Sequence, residues 1–366
     1  MCFQNQVFMS AGKFYPLKVS EISKTTPDCA LVEFEVPESL HQEFSFSQGQ
    51  HLTLKTSIGG QEVRRSYSLC SSPLDRQWKI AVKKIEGGLF SGFVNDALQA
   101  GDTLEVMQPN GSFFVAAHPD MALHYVAFAA GSGITPVFSM LKTHLELEPK
   151  ARFSLFYINQ TVASIILKEE IEALKNKYLD RFDAYFFLTQ EEQETSVFNG
   201  RIDREKLEEI CRYFLEVNKA DHFFLCGPEP MIFMIRDFLK EKGVDEQKIH
   251  FELFHSFAGQ AKIEARKQQK MTGGLVEILL KEGGKTIRFQ MAKGGESLLD
   301  AALKRNSALP FACKGGVCCT CKARLMEGKV QMDVNYALEK EQLDAGYILT
   351  CQAFPLTDKV LVDFDQ

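Results

Sequence analysis

Between residues 120 and 258, apolar strand-like runs alternate with helical ones, and this alternation restricts the fold more than any other feature of the chain. The strand-like runs are "HYVAFAA", "RFSLFYI", "DAYFFLT" and "HFFLCG"; the helical ones are "TPVFSMLKTHLEL", "SIILKEEIEALKNKYL", "DREKLEEICRYFLEV" and "EPMIFMIRDFLKEKG". Such alternation means βαβ units around a parallel sheet. Residues 13 to 116 read differently. Short runs such as "ALVEFEV", "QHLTLKT", "WKIAVKKI" and "DTLEVM" are separated by Pro, Gly, Asp and Ser clusters, the signature of an antiparallel β-barrel or sandwich. One helix is expected there, in "SGFVNDALQAGD", where Phe93, Val94, Ala97 and Leu98 fall at helical spacing and Gly101 ends the run. Residues 259–272, polar and basic, read as a linker. Beyond them "LVEILL", "KTIRFQ" and "KARLMEGKVQM" resume strand character around one helix, "ESLLDAALKRN", which gives an α+β segment. The expected divisions are 1–116, 117–258, 259–272 and 273–366.

A formal charge of −6 with no long basic run argues against a nucleic-acid partner. No uninterrupted apolar run approaches a membrane span, and "MCFQNQVFMSAGKF" lacks the basic and apolar regions of a signal peptide. The chain therefore reads as cytoplasmic, without a membrane partner. In a reducing compartment, clustered cysteines are metal ligands or redox groups more often than disulfides. Of the ten cysteines, Cys2, Cys29, Cys70 and Cys211 read as packing or surface thiols.

Cys313, Cys318 and Cys321 stand as C-x4-C-x2-C, and Cys351 follows 30 positions later. A plant-type [2Fe-2S] centre draws its thiolates from such a set, the first three from one tight loop. The glycines in "CKGGVCC" suit a loop whose backbone wraps a cluster. Zinc would prefer paired C-x2-C knuckles, and only Cys318–Cys321 forms one. Taking Cys319 instead of Cys318 gives C-x5-C-x-C, which fits no plant-type spacing, so Cys319 reads as a bystander.

A cluster that takes single electrons needs a donor. In "RRSYSLCSSP", Arg65, Tyr67 and Ser68 offer a phosphate partner, a ring to stack on an isoalloxazine and a hydroxyl for its N5 edge. In "EGGLFSGF", Gly88, Phe90 and Ser91 stand before a helical run, where backbone N–H groups make a phosphate site. "YVAFAAGSGITPVFSML" reads strand, glycine turn, helix. Its Gly131, Gly133 and Pro136 depart from G-x-G-x-x-G but hold the first strand-to-helix turn of the βαβ series, and Thr135 is placed to contact a nicotinamide or its phosphates. In "FFLCGPEPM", Cys226 ends a strand before Gly227 and Pro228, where open α/β sheets bind ligands; taken alone, Cys226 reads equally as a buried thiol.

Together, "RSYS", "GGLFS", "GSGITP", "CGPEPM" and the cysteine set resemble the ferredoxin–NADP reductase superfamily with a fused C-terminal plant-type ferredoxin. Within it, "RSYSLCSSP", "GGLFSGF", "FNGRIDREKL", "FLCGPEPM" and "IHFELF" are most similar to the reductase subunits of phenylacetyl-CoA epoxygenase complexes. The resemblance implies an antiparallel β-barrel flavin domain (1–116), an α/β parallel-sheet NAD(P)-binding domain (117–258) and a β-grasp ferredoxin domain (273–366). It also implies FAD, NAD(P)H and a [2Fe-2S] cluster as cofactors, and a terminal oxygenase as electron acceptor. Tyr67 would stack on the flavin, Ser68 would sit near N5, Arg65 would bind phosphate, and Gly88 and Ser91 would hold the pyrophosphate. Cys226 would lie near the site of hydride transfer, with Thr135 close to the nicotinamide. Glu252 and Phe254 would end the nicotinamide domain, Phe254 facing the opposite side of the flavin or simply packing in the core.

Other readings stay open at this level. The acceptor could be another Rieske or diiron oxygenase, or the chain could be a flavin-based redox sensor or a flavin or ferric reductase with a vestigial cluster. After the second strand of the nucleotide domain, Asn159, Gln160, Thr161 and Ser164 include no arginine for a 2′-phosphate, which leans toward NADH. FAD rather than FMN rests on "GGLFS" and the resemblance. Residues 273–366 hold 12 Lys/Arg and 12 Asp/Glu, so no net field there steers a partner.

Overall fold

The computed structural model describes residues 12–254, 274–305, 307 and 309–366. The expected linker and Cys2 lie outside them. Two compact units emerge, one over Pro16–Phe254 and one containing the chain from 274 onward.

In the first unit, strands β1 (Phe14–Thr26), β2 (Cys29–Glu35), β3 (His51–Ile58), β4 (Gln61–Ser68), β5 (Trp78–Lys83) and β6 (Thr103–Met107) form one sheet in the order β4-β3-β6-β1-β2-β5. An antiparallel bridge between Leu69 and Ile80 joins the two edges and closes the sheet into a barrel. Alternation along β1 buries Leu17 and Val19 completely. Pro16 occupies an exposed position within this alternation, and a proline weakens the strand signal in sequence. Helix α1 (Leu89–Asp96) begins at Gly88 and buries Phe90 and Val94; it starts and ends earlier than the apolar spacing alone suggests.

The second half of this unit is a five-stranded sheet of β7 (His124–Ala130), β8 (Arg152–Asn159), β9 (Phe182–Leu188), β10 (His222–Cys226) and β11 (Ile249–Glu252) in the order β11-β10-β7-β8-β9. Every pairing is parallel. Helices α2 (Ile134–Leu147), α3 (Lys168–Lys177), α4 (Arg204–Tyr213) and α5 (Glu229–Glu241) fill the connections. Strand order reverses between β7 and β10, so the turns after these two strands flank a topological switch point. Helix α3 starts four residues later than "SIILKEEIEALKNKYL" suggests. Ile165 and Ile166 are buried before it, and Leu167 is left-handed (φ 58°) with its N–H donating to Thr25 Oγ1 at 2.9 Å.

The two turns meet without side chains. A β-carbon on Gly133 would stand 2.1 Å from the Cys226 carbonyl oxygen, and one on Gly227 would stand 2.9 Å from Ala130 Cβ. At the opposite end of the sheet lies a closed polar network. Glu148, fully buried, accepts from Tyr125 Oη (2.9 and 3.0 Å) and the His118 N–H (2.8 Å), and pairs with His144 Nδ1 at 2.9 Å. Barrel residue Gln48 reaches this network, with its Nε2 3.5 Å from His144 Nε2. Burial pushes the Glu148 carboxyl up, but the hydrogen bonds from His144, the His118 N–H and Tyr125 outweigh it and hold the group below the usual carboxylate range.

In the second unit, β12 (Leu275–Glu282), β13 (Lys285–Ala292), β14 (Lys322–Glu327), β16 (Tyr347–Leu349) and β18 (Lys359–Asp363) form a mixed sheet, β13-β12-β18-β14-β16. Strands β15 (Val330–Met332) and β17 (Ala353–Pro355) pair separately. "KARLMEGKVQM" is thus two strands in two sheets, split at Gly328 (φ 91°), where a β-carbon would lie 2.3 Å from the Lys359 carbonyl oxygen. Helix α6 (Leu298–Leu303), capped by Ser297, buries Leu298, Leu299, Ala301 and Ala302; α7 (Lys340–Asp344) is short.

Two outcomes are expected. Gly133→Ala should lower stability in urea by about 1–3 kcal/mol, because the backbone must separate to admit a methyl group; an unchanged midpoint would refute the close approach. Glu148→Ala should cost about 3 kcal/mol, since it leaves buried partners unpaired. A group whose folded pKa is depressed stabilises above its unfolded value, about 4.3 for Glu, and that contribution fades as pH falls below it. The stability gap between wild type and variant should therefore narrow on acidification; a constant gap would show that Glu148 is not ionised.

Candidate functional site

The flavin and nicotinamide motifs converge within the first unit. Ser68 closes β4 and Glu252 closes β11, and Ser68 Oγ donates to Glu252 Oε2 at 3.1 Å across the barrel–sheet boundary. Glu252 is also the register partner of Cys226. Cys226 is fully buried; burial, reinforced by the Glu252 charge, drives its thiol well above the usual range, so it stays protonated. Thus Ser68, Cys226 and Glu252, spread over 185 residues, come to one place at the carboxyl edge of the sheet.

Tyr67 points to the other face of β4 from Ser68 and rests half-buried against Phe90, ring centroids 5.7 Å apart. Burial pushes its phenol up, so the ring is a neutral wall. Phe90 itself is buried behind Tyr67 rather than open to a ligand. Arg65 is exposed, with Nη1 on the Arg64 carbonyl at 2.7 Å. Ser91 Oγ takes the Ile85 N–H at 3.1 Å and donates to the Gly88 carbonyl at 3.4 Å, so it shapes the turn that presents α1. A β-carbon on Gly88 would lie 2.6 Å from that hydroxyl. An aromatic wall, an exposed guanidinium and a helix N-terminus together suit an aromatic ring joined to phosphates. Sequence reasoning missed His51. It faces Ser68 across β3–β4, is buried, and leaves Nε2 without a hydrogen-bond partner; burial lowers its pKa to about 4. An orphaned buried imidazole nitrogen beside Ser68 fits a site that takes a polar ligand.

Around the nicotinamide motifs, Gly131 adopts φ 53°, and Tyr157 Oη donates to its carbonyl at 3.0 Å. Thr135 is buried, its hydroxyl spent on the Ser132 carbonyl at 3.0 Å, and Pro136 is buried in the first turn of α2. Pro228 caps α5 and is exposed beside the half-buried Gly227. Phe254 packs, half-buried, against the main apolar cluster. Of the residues after β8, Ser164 spends its hydroxyl within its own turn, on the Gln160 and Thr161 N–H groups and the Thr161 carbonyl. At Gly133 and Gly227 the space a side chain would need is already taken by neighbouring protein atoms, whereas nothing lies within 4 Å of where a β-carbon would stand on Gly131, which leaves the backbone open there beside the switch point.

In the second unit the four cysteines pair two and two. Cys313 and Cys318 interact directly, as do Cys321 and Cys351, and each pair senses the other's charge. Hydrogen bonding from Cys313 holds the Cys318 thiol down to about 6. Two thiol pairs are the donor set for two bridged irons. The Gly315 N–H already points at Cys313 Sγ, 3.3 Å away. Cys319, left-handed at φ 51°, turns its thiol away to the Ala337 carbonyl at 2.8 Å.

The comparisons with known proteins agree with this geometry. Residues 16–115 match the family described as oxidoreductase FAD-binding domain, 128–237 the oxidoreductase NAD-binding domain, and 280–356 the 2Fe-2S iron-sulfur cluster binding domain. The chain is 40% identical to a 1,2-phenylacetyl-CoA epoxidase component of Escherichia coli K12, over 96% of this chain and 98% of that one. It is 33% identical to the ferredoxin reductase component of 3-ketosteroid-9-alpha-monooxygenase from Rhodococcus rhodochrous, over 95% and 96%. Among solved structures, phthalate dioxygenase reductase shares the fold at 22% identity with a TM-score of 0.57, covering 96% of this chain and 98% of that one. An intact type IV self-sufficient cytochrome P450 monooxygenase does so at 21% and 0.68, covering 98% of this chain and 43% of that one. The chain belongs to the family of oxygenase reductase components that carry FAD-binding, NAD-binding and [2Fe-2S] domains in that order.

Proposed function

We propose that this reductase delivers electrons from NAD(P)H to the oxygenase component of a phenylacetyl-CoA epoxygenase in the cytoplasm. The observation that carries electron delivery is the two-and-two pairing of Cys313 with Cys318 and Cys321 with Cys351. The choice of epoxygenase rests on the full-length likeness to the Escherichia coli protein. Nine described cysteines that are all free thiols suit a reducing compartment, and among the described residues no helix is long and apolar enough to cross a membrane.

When bound, FAD exchanges two-electron for one-electron chemistry and the cluster carries single electrons. The residues of the chain supply placement. Tyr67 offers the flat wall for the flavin, and Arg65 with the first turn of α1 takes its phosphates. Ser68, tied to Glu252, sets the polar edge where nicotinamide and flavin meet. Cys226, kept neutral, forms the floor beside Gly227 and Gly133 and excludes water without adding charge.

Several outcomes test these roles. Cys351→Ser should leave flavin reduction by NAD(P)H within about twofold while abolishing delivery to the oxygenase; paired ferricyanide and epoxidation assays read both, and normal epoxidation would sink the scheme. Ser68→Ala or Cys226→Ala should slow the limiting rate of flavin reduction about tenfold in stopped flow, equivalent to about 1.4 kcal/mol of barrier. Wild-type rates in both would remove them from the site. Because Cys226 stays protonated, that rate should show no inflection through the ordinary thiol range near pH 8–9; a clear break there would assign it a thiolate.

A further inference from the structure

We propose that Gln352 is the positioning residue that binds the two thiol pairs of the cluster cage into one unit. The inference rests on reading Cys313, Cys318, Cys321 and Cys351 as the ligands. Gln352 follows Cys351 and is completely buried. Its Nε2 donates to the Lys314 carbonyl at 2.8 Å, while its Oε1 has no hydrogen-bond partner. A carbonyl only accepts, so the amide nitrogen must face Lys314 and the oxygen is left over. An unpaired buried oxygen is destabilising, and a methionine of the same length would avoid that cost. A buried carboxamide is therefore a poor choice for packing alone, and what it adds is the donor.

The three-residue segment Thr350–Gln352 works in two directions. Thr350 Oγ1 donates to the Cys321 carbonyl at 2.9 Å, a bond that stays within the Cys321–Cys351 pair. Gln352 reaches instead to the loop of the Cys313–Cys318 pair. Lys314, next to Cys313, is a non-glycine residue at φ 53°, a strained conformation that needs support from its surroundings. The Gln352 bond supplies that support at the Lys314 carbonyl. The same side chain backs Gly316, where a β-carbon would meet Gln352 Cγ at 3.1 Å and the Val334 carbonyl oxygen at 2.9 Å. The Gln352 carbonyl takes the Asp333 N–H at 3.1 Å, and the Gly316 carbonyl takes the Tyr336 N–H at 3.0 Å, which boxes the loop from its other side. Gln352 is thus a side chain that links both pairs, and the cage holds its shape through it.

The test uses the full-length protein. Gln352→Met and Gln352→Asn, which is too short to reach, are challenged with an iron chelator beside wild type and Thr350→Val. Loss of cluster absorbance and of the reduced-cluster EPR signal is followed, with flavin reduction by NAD(P)H as the control for the other unit. Both Gln352 variants should release iron about fivefold faster or more, as expected for loss of about 1 kcal/mol. Thr350→Val should stay within about twofold of wild type. Release from Gln352→Met at the wild-type rate overturns the proposal, and so does equal acceleration by Thr350→Val. A Gln352 variant isolated without cluster is reconstituted with ferrous iron and sulfide. A need for several-fold more of both supports the role, and re-formation at wild-type concentrations overturns it. Cys351→Ser is run alongside; full cluster retention there would overturn the ligand reading itself.

Discussion

The nucleotide half depends on one contact that no side chain can enter. Gly133 lies so close to the Cys226 carbonyl that a β-carbon would overlap it at 2.1 Å, and a β-carbon on Gly227 would crowd the Ala130 methyl at 2.9 Å. These two bare turns let β7 and β10 run side by side to their carboxyl ends, where the strand order reverses. Cys226 and Glu252 then stand in register on neighbouring strands, and Ser68 reaches them from the barrel. Larger residues at the two glycines would pry this arrangement apart.

The barrel and sheet adhere through polar contacts as much as apolar ones. Besides Ser68–Glu252, Ser139 donates to the Ser71 carbonyl at 2.6 Å, Ser72 meets Thr143 at 2.8 Å, and Lys142 pairs with Asp75. These bonds line α2 on one side and the chain after β4 on the other, and they fix direction in a way that apolar burial does not. Gln48 extends the same contact toward the buried Glu148 network. Residues Pro16–Phe254 therefore form one compact unit although they comprise two kinds of sheet.

The cluster segment shows a related economy. Three backbone positions in the cysteine-rich loop are left-handed, Lys314, Gly316 and Cys319, and only one of them is glycine. The two others are held by specific bonds: the Lys314 carbonyl by Gln352 and the Cys319 thiol by the Ala337 carbonyl. Cys319 thus anchors the loop through its thiol.

Much of this was legible in the chain. The βαβ alternation, the closely spaced cysteines and the glycine turns are local patterns, and their physics acts over a few residues: periodicity, φ freedom and ligand spacing. The strand β1 was not legible, because a proline reads as a strand breaker even where, like Pro16, it lies on the exposed face, and α3 was misjudged because Leu167 answers to Thr25, far away in sequence. Glu252 and Phe254 were named only through resemblance; the contact of Ser68 with Glu252 required the fold. His51 and Gln352 carried no motif at all, since their significance lies in buried polar atoms whose partners are set by neighbours from other segments. The sequence by itself determined the kinds of elements and the closely spaced cysteines, because those are encoded within short windows. Which residues share a site, which hydroxyls are already spent and which thiol turns away were decided by tertiary structure, because hydrogen-bond competition and burial exist only after distant segments have met.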